Sequence, residues 1–326
     1  MTISPLKIGP LEIWPPVLSA PMAGYTGGVY REILREHGCP YCYTEMVSAK
    51  GLLHGGDDSE EILLHADDDR PLAVQIFGYE PESMAEAAAM LSRPERGFQA
   101  IDINMGCPAR KITSQGSGGA LLKDVSLAGD IVRAVRDSSR VPVTVKMRLG
   151  WEDSSGAVRF AQRIAASGAH MIVVHGRTVS QGYSGKADWK AIEGIASEVP
   201  VPVVGNGDIL SAREALERLE RGPCAGVMVG RAILGNPVFF EDLTALLRGE
   251  QPEEYTPQTK MRLAKEHFER SIERYGERRG LLEMRKQLVH YFRGMRGAAR
   301  LRETVLREKS PEAVVRFLEE GWRAYQ

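Results

Sequence analysis

Several short apolar runs in this chain end in side chains able to do chemistry. They end at Ala20-Pro21-Met22-Ala23-Gly24, at Gln75, at Asn104-Met105-Gly106-Cys107-Pro108, at Lys146, at His175-Gly176-Arg177, at Gly205-Asn206-Gly207-Asp208 and at Gly230-Arg231. A single Gln or Asn in such a place reads as a turn cap. Amide, imidazole, thiol and cationic groups recurring at the ends of six runs read as one site. Gln75 and Asn104 offer donor–acceptor pairs suited to the edge of a planar ring. Lys146 ends an otherwise apolar run, where an ammonium is costly without a partner, so it reads as a cation facing a heterocycle that gains negative charge. Cys107, in a Gly-Cys-Pro turn, can act as a general acid, or as a nucleophile with His175 as base. The glycine turns around Asn206-Gly207-Asp208 and Gly230-Arg231 let backbone N–H groups approach an anion, and Arg231 adds charge, which suits a phosphate.

Such groups converge only if the runs are neighbouring strands. The runs are Val17–Met22, Tyr41–Val47, Leu72–Phe77, Ala100–Met105, Val141–Met147, His170–His175, Val201–Gly205 and Gly226–Val229. Between them, segments such as Met84–Arg93, Ala128–Asp137, Val158–Ser167 and Ala212–Arg221 show helical periodicity. Alternation of eight strands with helices implies a closed (β/α)8 TIM barrel, an α/β fold whose chemistry sits at the C-terminal ends of the strands. A doubly wound open sheet fits less well, because no Gly-rich turn follows the first run.

The strand pattern stops near Leu247. Arg248–Pro257 is polar with two prolines and reads as a linker. Lys260–Tyr275, Leu281–Phe292, Ala298–Glu308 and Pro311–Ala324 read as helices. The expected organisation is a barrel over 1–247, a linker over 248–257 and a small all-α domain over 258–326.

The composition, 43% hydrophobic and 26% charged over 326 residues, excludes a disordered or collagen-like chain. The net charge of −1 excludes a uniformly basic nucleic-acid binder. Residues 251–326, however, hold 17 Lys+Arg against 12 Asp+Glu, so this part is the one suited to an anionic partner. Within it, Met284–Arg302 has six basic residues and no acid, with Arg285, Lys286, Arg293 and Arg296 near Tyr291 and Phe292, which reads as a phosphate-backbone surface. Neither a cleavable leader nor an apolar run of about 18 residues is present, so the chain reads as cytoplasmic, with reduced thiols. Cys39-Pro40-Tyr41-Cys42 has the spacing of a glutaredoxin-type motif, but it leads into a strand instead of opening a helix, which argues against that catalytic role. No second ligand pair follows it, so no metal site is expected, and Cys224 reads as packing.

The chain resembles the tRNA-dihydrouridine synthases, most closely the bacterial B-type. The resemblance rests on Ala20–Gly24 (APMAG), Glu45–Ser48 (EMVS), Val74–Gly78 (VQIFG), Ile101–Pro108 (IDINMGCP), Gly116–Leu122 (GSGGALL), Val143–Arg148 (VTVKMR), His175–Thr178 (HGRT), Gly205–Ile209 (GNGDI), Gly226–Pro237 (GVMVGRAILGNP) and Arg285–Gly294 (RKQLVHYFRG), in the family's order across nearly the whole chain. Gly27–Tyr30 and the Cys39/Cys42 pair depart from that pattern. The resemblance implies flavin mononucleotide (FMN) across the barrel mouth, with Pro21, Met22 and Ala23 against its ring, Gln75 and Lys146 on its polar edge, and Asn206, Gly207, Asp208, Gly230 and Arg231 on its phosphate. It implies Asn104, His175 and Arg177 near flavin or uracil, Cys107 as general acid, NADPH or NADH as reductant, and reduction of the C5–C6 bond of a D-loop uridine in tRNA. The C-terminal helices would grip the tRNA, with no protein partner implied and a monomer as the default. The competing expectation is a dihydroorotate- or dihydropyrimidine-type flavin dehydrogenase acting on a free base, which would leave the basic helical segment without a purpose.

Overall fold

The computed structural model describes residues 3–55 and 57–325. It opens with a hairpin, β1 (Leu6–Ile8) antiparallel to β2 (Leu11–Ile13). Eight parallel strands follow: β3 (Val17–Ser19), β4 (Cys42–Ser48), β5 (Leu72–Phe77), β6 (Ala100–Met105), β7 (Val143–Arg148), β8 (Met171–His175), β9 (Val203–Asn206) and β10 (Gly226–Val229). Their order is β3-β10-β9-β8-β7-β6-β5-β4, and the Ser19 N–H donates to the Tyr41 C=O at 3.0 Å to bring the two ends together. This is the α/β barrel expected from the alternation, with helices packed around it.

Proline trims three of the expected strands. Pro142 and Pro202 lack the N–H a ladder needs, so β7 and β9 begin at Val143 and Val203, two residues later than expected, while the Pro142 and Pro202 carbonyls still accept from Ile101 and Ile172 at 2.9 and 3.0 Å. Pro21 likewise ends β3, and the Met22 carbonyl turns to accept from the Tyr25 and Thr26 N–H groups. The hairpin, too short for its alternation to stand out, was not expected. It plugs the N-terminal end of the barrel, where Leu6, Ile8 and Ile13 join the inward-facing Leu18, Tyr41, Tyr43, Ala73, Ala100, Met171, Val173, Val204 and Met228 in one buried cluster. The outward strand residues, such as Val74, Ile101, Val145, Ile172 and Val227, pack against the helices in a second cluster. Period-2 alternation thus leaves the C-terminal half of the lumen to polar side chains.

After Leu247 the chain runs without regular structure to Thr256, then forms helices Pro257–Tyr275, Glu277–Tyr291, Ala298–Arg307 and Pro311–Glu319 and a final turn, Gly321–Tyr325. The last expected helix ends five residues early, at Glu319. These helices share their own core around Phe268, Leu288, Phe292, Leu301, Phe317 and Trp322. They dock on the barrel through Tyr30 stacked on His267 (4.9 Å), Tyr255 donating to the Gly235 carbonyl (3.0 Å) and the exposed pairs Arg270–Glu36 (2.7 Å) and Arg279–Glu61 (2.6 Å).

Gly235 marks a close approach of helix backbone to barrel. Its φ is +65°, and a Cβ there would lie 2.5 Å from the His290 carbonyl carbon and the Tyr291 nitrogen, both backbone. Gly235→Ala is therefore expected to lose about 2–3 kcal/mol of stability, from left-handed strain and forced separation of helix from barrel. A thermal melt checks this, and an unchanged melting temperature would contradict the tight docking.

Candidate active site

The barrel register brings the polar strand ends together. Gln75 lies beside Asp102, Asp102 beside Thr144, Asn104 beside Lys146, Arg148 beside His175, and His175 beside Asn206. A hydrogen-bonded chain fixes the first of these. Thr144 Oγ1 and Gln75 Nε2 donate to the buried Asp102 carboxylate at 2.5 and 2.7 Å. Asn104 Nδ2 then donates to Gln75 Oε1 at 2.8 Å, and Asn104 Oδ1 accepts from the Gly106 and Cys107 N–H groups at 3.1 and 2.9 Å. The amide orientations of Gln75 and Asn104 are thereby set, and so is the turn presenting Cys107. Asp102 escaped the sequence reading because, mid-strand, nothing distinguishes it from a buried structural carboxylate. Burial raises its pKa to about 6, against the pull of Thr144 and Gln75.

The Cys107 turn is also held from outside. Arg148, buried, donates through Nε to the Gly106 carbonyl (2.9 Å) and through NH1 to the Thr178 and Gly182 carbonyls (2.8 and 2.7 Å). The Gly119 N–H donates to the Cys107 carbonyl at 3.0 Å, and a Cβ at Gly118, with φ +60°, would sit 3.2 Å from Cys107 Cβ. The glycines of the GSGG stretch let this turn wrap the cysteine.

Two adjoining cavities fill the mouth. The larger, about 410 Å³, is bounded by Ala23, Gln75, Asn104, Cys107, Arg148 and His290, and the smaller, about 90 Å³, by Arg177, Asn206, Gly207, Asp208 and Gly230. Pro21, Met22, Lys146, His175, Tyr183 and Arg231 border both. Tyr183, missed by the sequence reading, is 62% exposed and lies between Arg148 and Arg231, with ring centroid distances of 5.6 and 5.4 Å. Its signal was an aromatic bracketed by Gly182 and Gly185, both at positive φ.

Lys146 makes no hydrogen bond or ion pair to protein among the described residues. Burial lowers its pKa to about 8, Arg148 adds repulsion, and Asp102 and Cys107 pull the other way. Burial also lowers His175, to about 2, reinforced by Lys146, Arg148, Arg177 and Arg231. The imidazole is therefore neutral. Because a guanidinium only donates, the 3.3 Å contact from Arg177 NH1 makes His175 Nε2 an acceptor and puts the ring proton on Nδ1. So weak a base is poorly suited to activating a thiol as a nucleophile.

Arg177 and Asp208 border the smaller cavity and pair with each other. Arg177 borders only the smaller cavity, and its guanidinium is committed to the Ser184 and Gly185 carbonyls (3.0 and 2.7 Å), to His175 and to Asp208 (2.8 Å). The Asp208 carboxylate accepts from Arg177, from Arg231 (3.2 Å) and from the Ala187 N–H (2.8 Å). Burial alone would raise its pKa, but these donors bring it below the usual value. Its carboxylate holds the Arg177 and Arg231 guanidiniums. The N–H groups of Asp208, Gly230 and Arg231 donate to no protein acceptor among the described residues, and Asp208 turns at φ 50°. The anion-binding capacity of these turns lies in that backbone and in the half-exposed Arg231.

The basic run Met284–Arg302 spans two helices, as expected. The first helix ends at Tyr291, and a turn with Gly294 and Gly297 at positive φ precedes the second. Lys286 pairs with Glu283 at 2.5 Å and lies over Gly24, and Arg293 donates to the Arg231 carbonyl at 3.2 Å. Gln287 donates to the Gly24 and Tyr25 carbonyls at 3.3 and 3.0 Å. Arg285 is half-buried and Arg296 exposed. Lys286 and Arg293 thus approach the mouth from the helical side.

A family model described as dihydrouridine synthase (Dus) matches residues 18–324. The chain belongs to the dihydrouridine synthase family. It is 39% identical over 310 residues to the probable tRNA-dihydrouridine synthase 1 of Synechocystis sp., across 94% of this chain and 86% of that one. It is 35% identical to tRNA-dihydrouridine synthase B of Pseudomonas syringae pv. tomato, across 95% and 92%. Among solved structures, an old yellow enzyme homologue from Zymomonas mobilis superposes with a TM-score of 0.56 at 13% identity, over 79% of this chain and 95% of that one, which supports the barrel alone. Membership of the dihydrouridine synthase family makes the protein an oxidoreductase. Among the described residues no helix is long and apolar enough to cross a membrane.

Proposed function

We propose that the protein is an FMN-dependent tRNA-dihydrouridine synthase that uses NADPH or NADH to saturate the C5–C6 bond of a D-loop uridine, with Cys107 as general acid. The observation that supports this most is Lys146, a cation without a protein partner, facing the same cavity as Cys107. The residues at the mouth fit FMN. Asp208, Gly230 and Arg231 offer backbone N–H donors for its phosphate, Arg231 adds a guanidinium, and Gly207 keeps open a turn where a Cβ would meet Ala187 at 2.7 Å. Pro21, Met22 and Ala23 would lie against its ring, and Gln75, Lys146 and His175 along its polar edge. Bound there, FMN supplies the hydride, itself recharged by NADPH or NADH.

The chain's own residues do the rest. Cys107, held by Asn104 and Arg148, gives its thiol proton to C5 of the base. Lys146 holds the charge that grows on a ring oxygen as the double bond is lost. Asn104, through the fixed Asp102–Gln75 chain, presents an oriented amide to the base, and His175 offers an Nδ1–H donor. A uridine must leave its stack to reach this cavity, and the helical segment 258–326 would hold the tRNA backbone while the barrel takes the base.

Replacing Arg285, Lys286 and Arg293 together by Ala is expected to weaken tRNA binding and flatten its salt dependence, by about 0.7–0.9 log units for each phosphate no longer neutralised. Filter binding at several salt concentrations measures this, with a thermal melt as the fold control. Unchanged affinity and slope would remove these residues from the interface. The reading as a whole is tested by NADPH consumption. It should depend on tRNA lacking dihydrouridine and be indifferent to orotate or free uracil. Turnover with a free base and none with tRNA would favour the dihydropyrimidine-type dehydrogenase.

A further inference from the structure

The Cys39/Cys42 pair lies outside the mouth and takes no part in the proposed reaction. Cys39 Sγ and Cys42 Sγ are 3.5 Å apart, both thiols are free, and both side chains are buried. Two features separate them from packing cysteines. First, a guanidinium stands beside them. Arg35 donates to the Cys39 carbonyl at 2.9 Å and to the Pro71 carbonyl, and it is held in place by Asp69 at 3.2 Å. Second, the sulfurs share a hydrogen bond and point at each other across the turn.

We propose that Cys39 and Cys42 form a reversible redox modification site, in which a peroxide-class oxidant converts the two thiols into an intramolecular disulfide. Cys42 is the attacking sulfur. Burial works against its ionisation, but the Cys39 hydrogen bond and Arg35 outweigh it and bring the thiol down to about 7. The thiolate attacks one peroxide oxygen, the O–O bond breaks, and a sulfenic acid forms at Cys42 with release of hydroxide. Cys39 Sγ then attacks Cys42 Sγ, its proton leaves with the hydroxyl as water, and the S–S bond closes. The net change is two thiols and one hydrogen peroxide to one disulfide and two waters. The sulfurs, 3.5 Å apart, must approach to the disulfide length of about 2.0 Å. The pair lies next to the surface, with Cys39 between exposed Gly38 and half-buried Pro40.

The location gives the bond a consequence. Tyr41, between the two cysteines, accepts the Ser19 N–H that joins β3 to β4, and β3 leads directly into Pro21 and Met22 at the mouth. A disulfide would therefore staple the seam of the barrel next to that segment. Cys224 is the internal control: it is buried and has no sulfur partner among the described residues, and burial raises its pKa to about 12.

The test treats the folded full-length protein with hydrogen peroxide, quenches, unfolds it in N-ethylmaleimide and maps the peptides by mass. The peptide holding Cys39 and Cys42 is expected to lose two hydrogens and take no maleimide, and to recover both maleimides after dithiothreitol, while Cys224 stays alkylated throughout. In Cys39→Ser, dimedone should label Cys42 as a trapped sulfenic acid. Full maleimide labelling of both cysteines after peroxide would overturn the proposal. So would a disulfide that forms only when the protein is unfolded before oxidation.

Discussion

Replacing Cys107 by alanine is expected to lower uridine reduction by about 10²–10⁴-fold, the range for loss of a positioned general acid. The variant should still fold, because Cys107 is half-buried and its turn is held by backbone contacts, with Asn104 Oδ1 accepting its N–H and Gly119 donating to its carbonyl. It should also keep bound FMN, since the groups placed against phosphate and ring lie elsewhere in the mouth. Single-turnover uridine reduction measured beside flavin content separates these effects. A Cys107→Ala protein with full flavin and full rate would remove the thiol from the reaction. One without flavin would move Cys107 from proton transfer to cofactor binding.

Lys146→Met is expected to cost about 10²–10³-fold in turnover, the scale for removing a preorganised donor from a developing charge. Methionine keeps the length of the stem and fills the same lumen position beside Asn104 and Val173, so stability should hold or rise with the isolated buried charge gone. The pH profile adds a second signature. Lys146 is lowered to about 8, so it carries its proton below that pH and loses it above. Wild-type turnover should decline as pH rises through about 8, and this limb should be missing in Lys146→Met. A variant that keeps the alkaline limb would assign that ionisation to another group.

The barrel was legible because its strands announce themselves twice, by apolar β-branched runs and by polar ends. Once eight runs imply closure, the register brings their ends to one rim without further assumption, and Gln75, Asn104, Lys146, His175 and Asn206 do line that rim. The illegible parts depend on contacts between distant segments. The Arg177–Asp208–Arg231 pairing joins three loops, and no local pattern shows that a carboxylate in a glycine turn will be spent on two guanidiniums. Asp102 and Tyr183 acquire their places only when β5 and β7 flank the one and the loop after β8 folds back over the mouth with the other. The hairpin β1–β2 is too short to carry a periodic signal, yet it closes the bottom of the lumen. Along the C-terminal segment the break between two helices was legible in the sequence, but the contact of Arg293 with the Arg231 carbonyl, which joins distant segments, was not.

The most direct test of tRNA uridine reduction is mass spectrometry of nucleosides from tRNA lacking dihydrouridine, after incubation with the purified protein, FMN and NADPH. A gain of two hydrogens at a D-loop uridine, dependent on both protein and NADPH, is the predicted result. An unmodified tRNA recovered from a protein that is flavin-loaded and oxidises NADPH would contradict it.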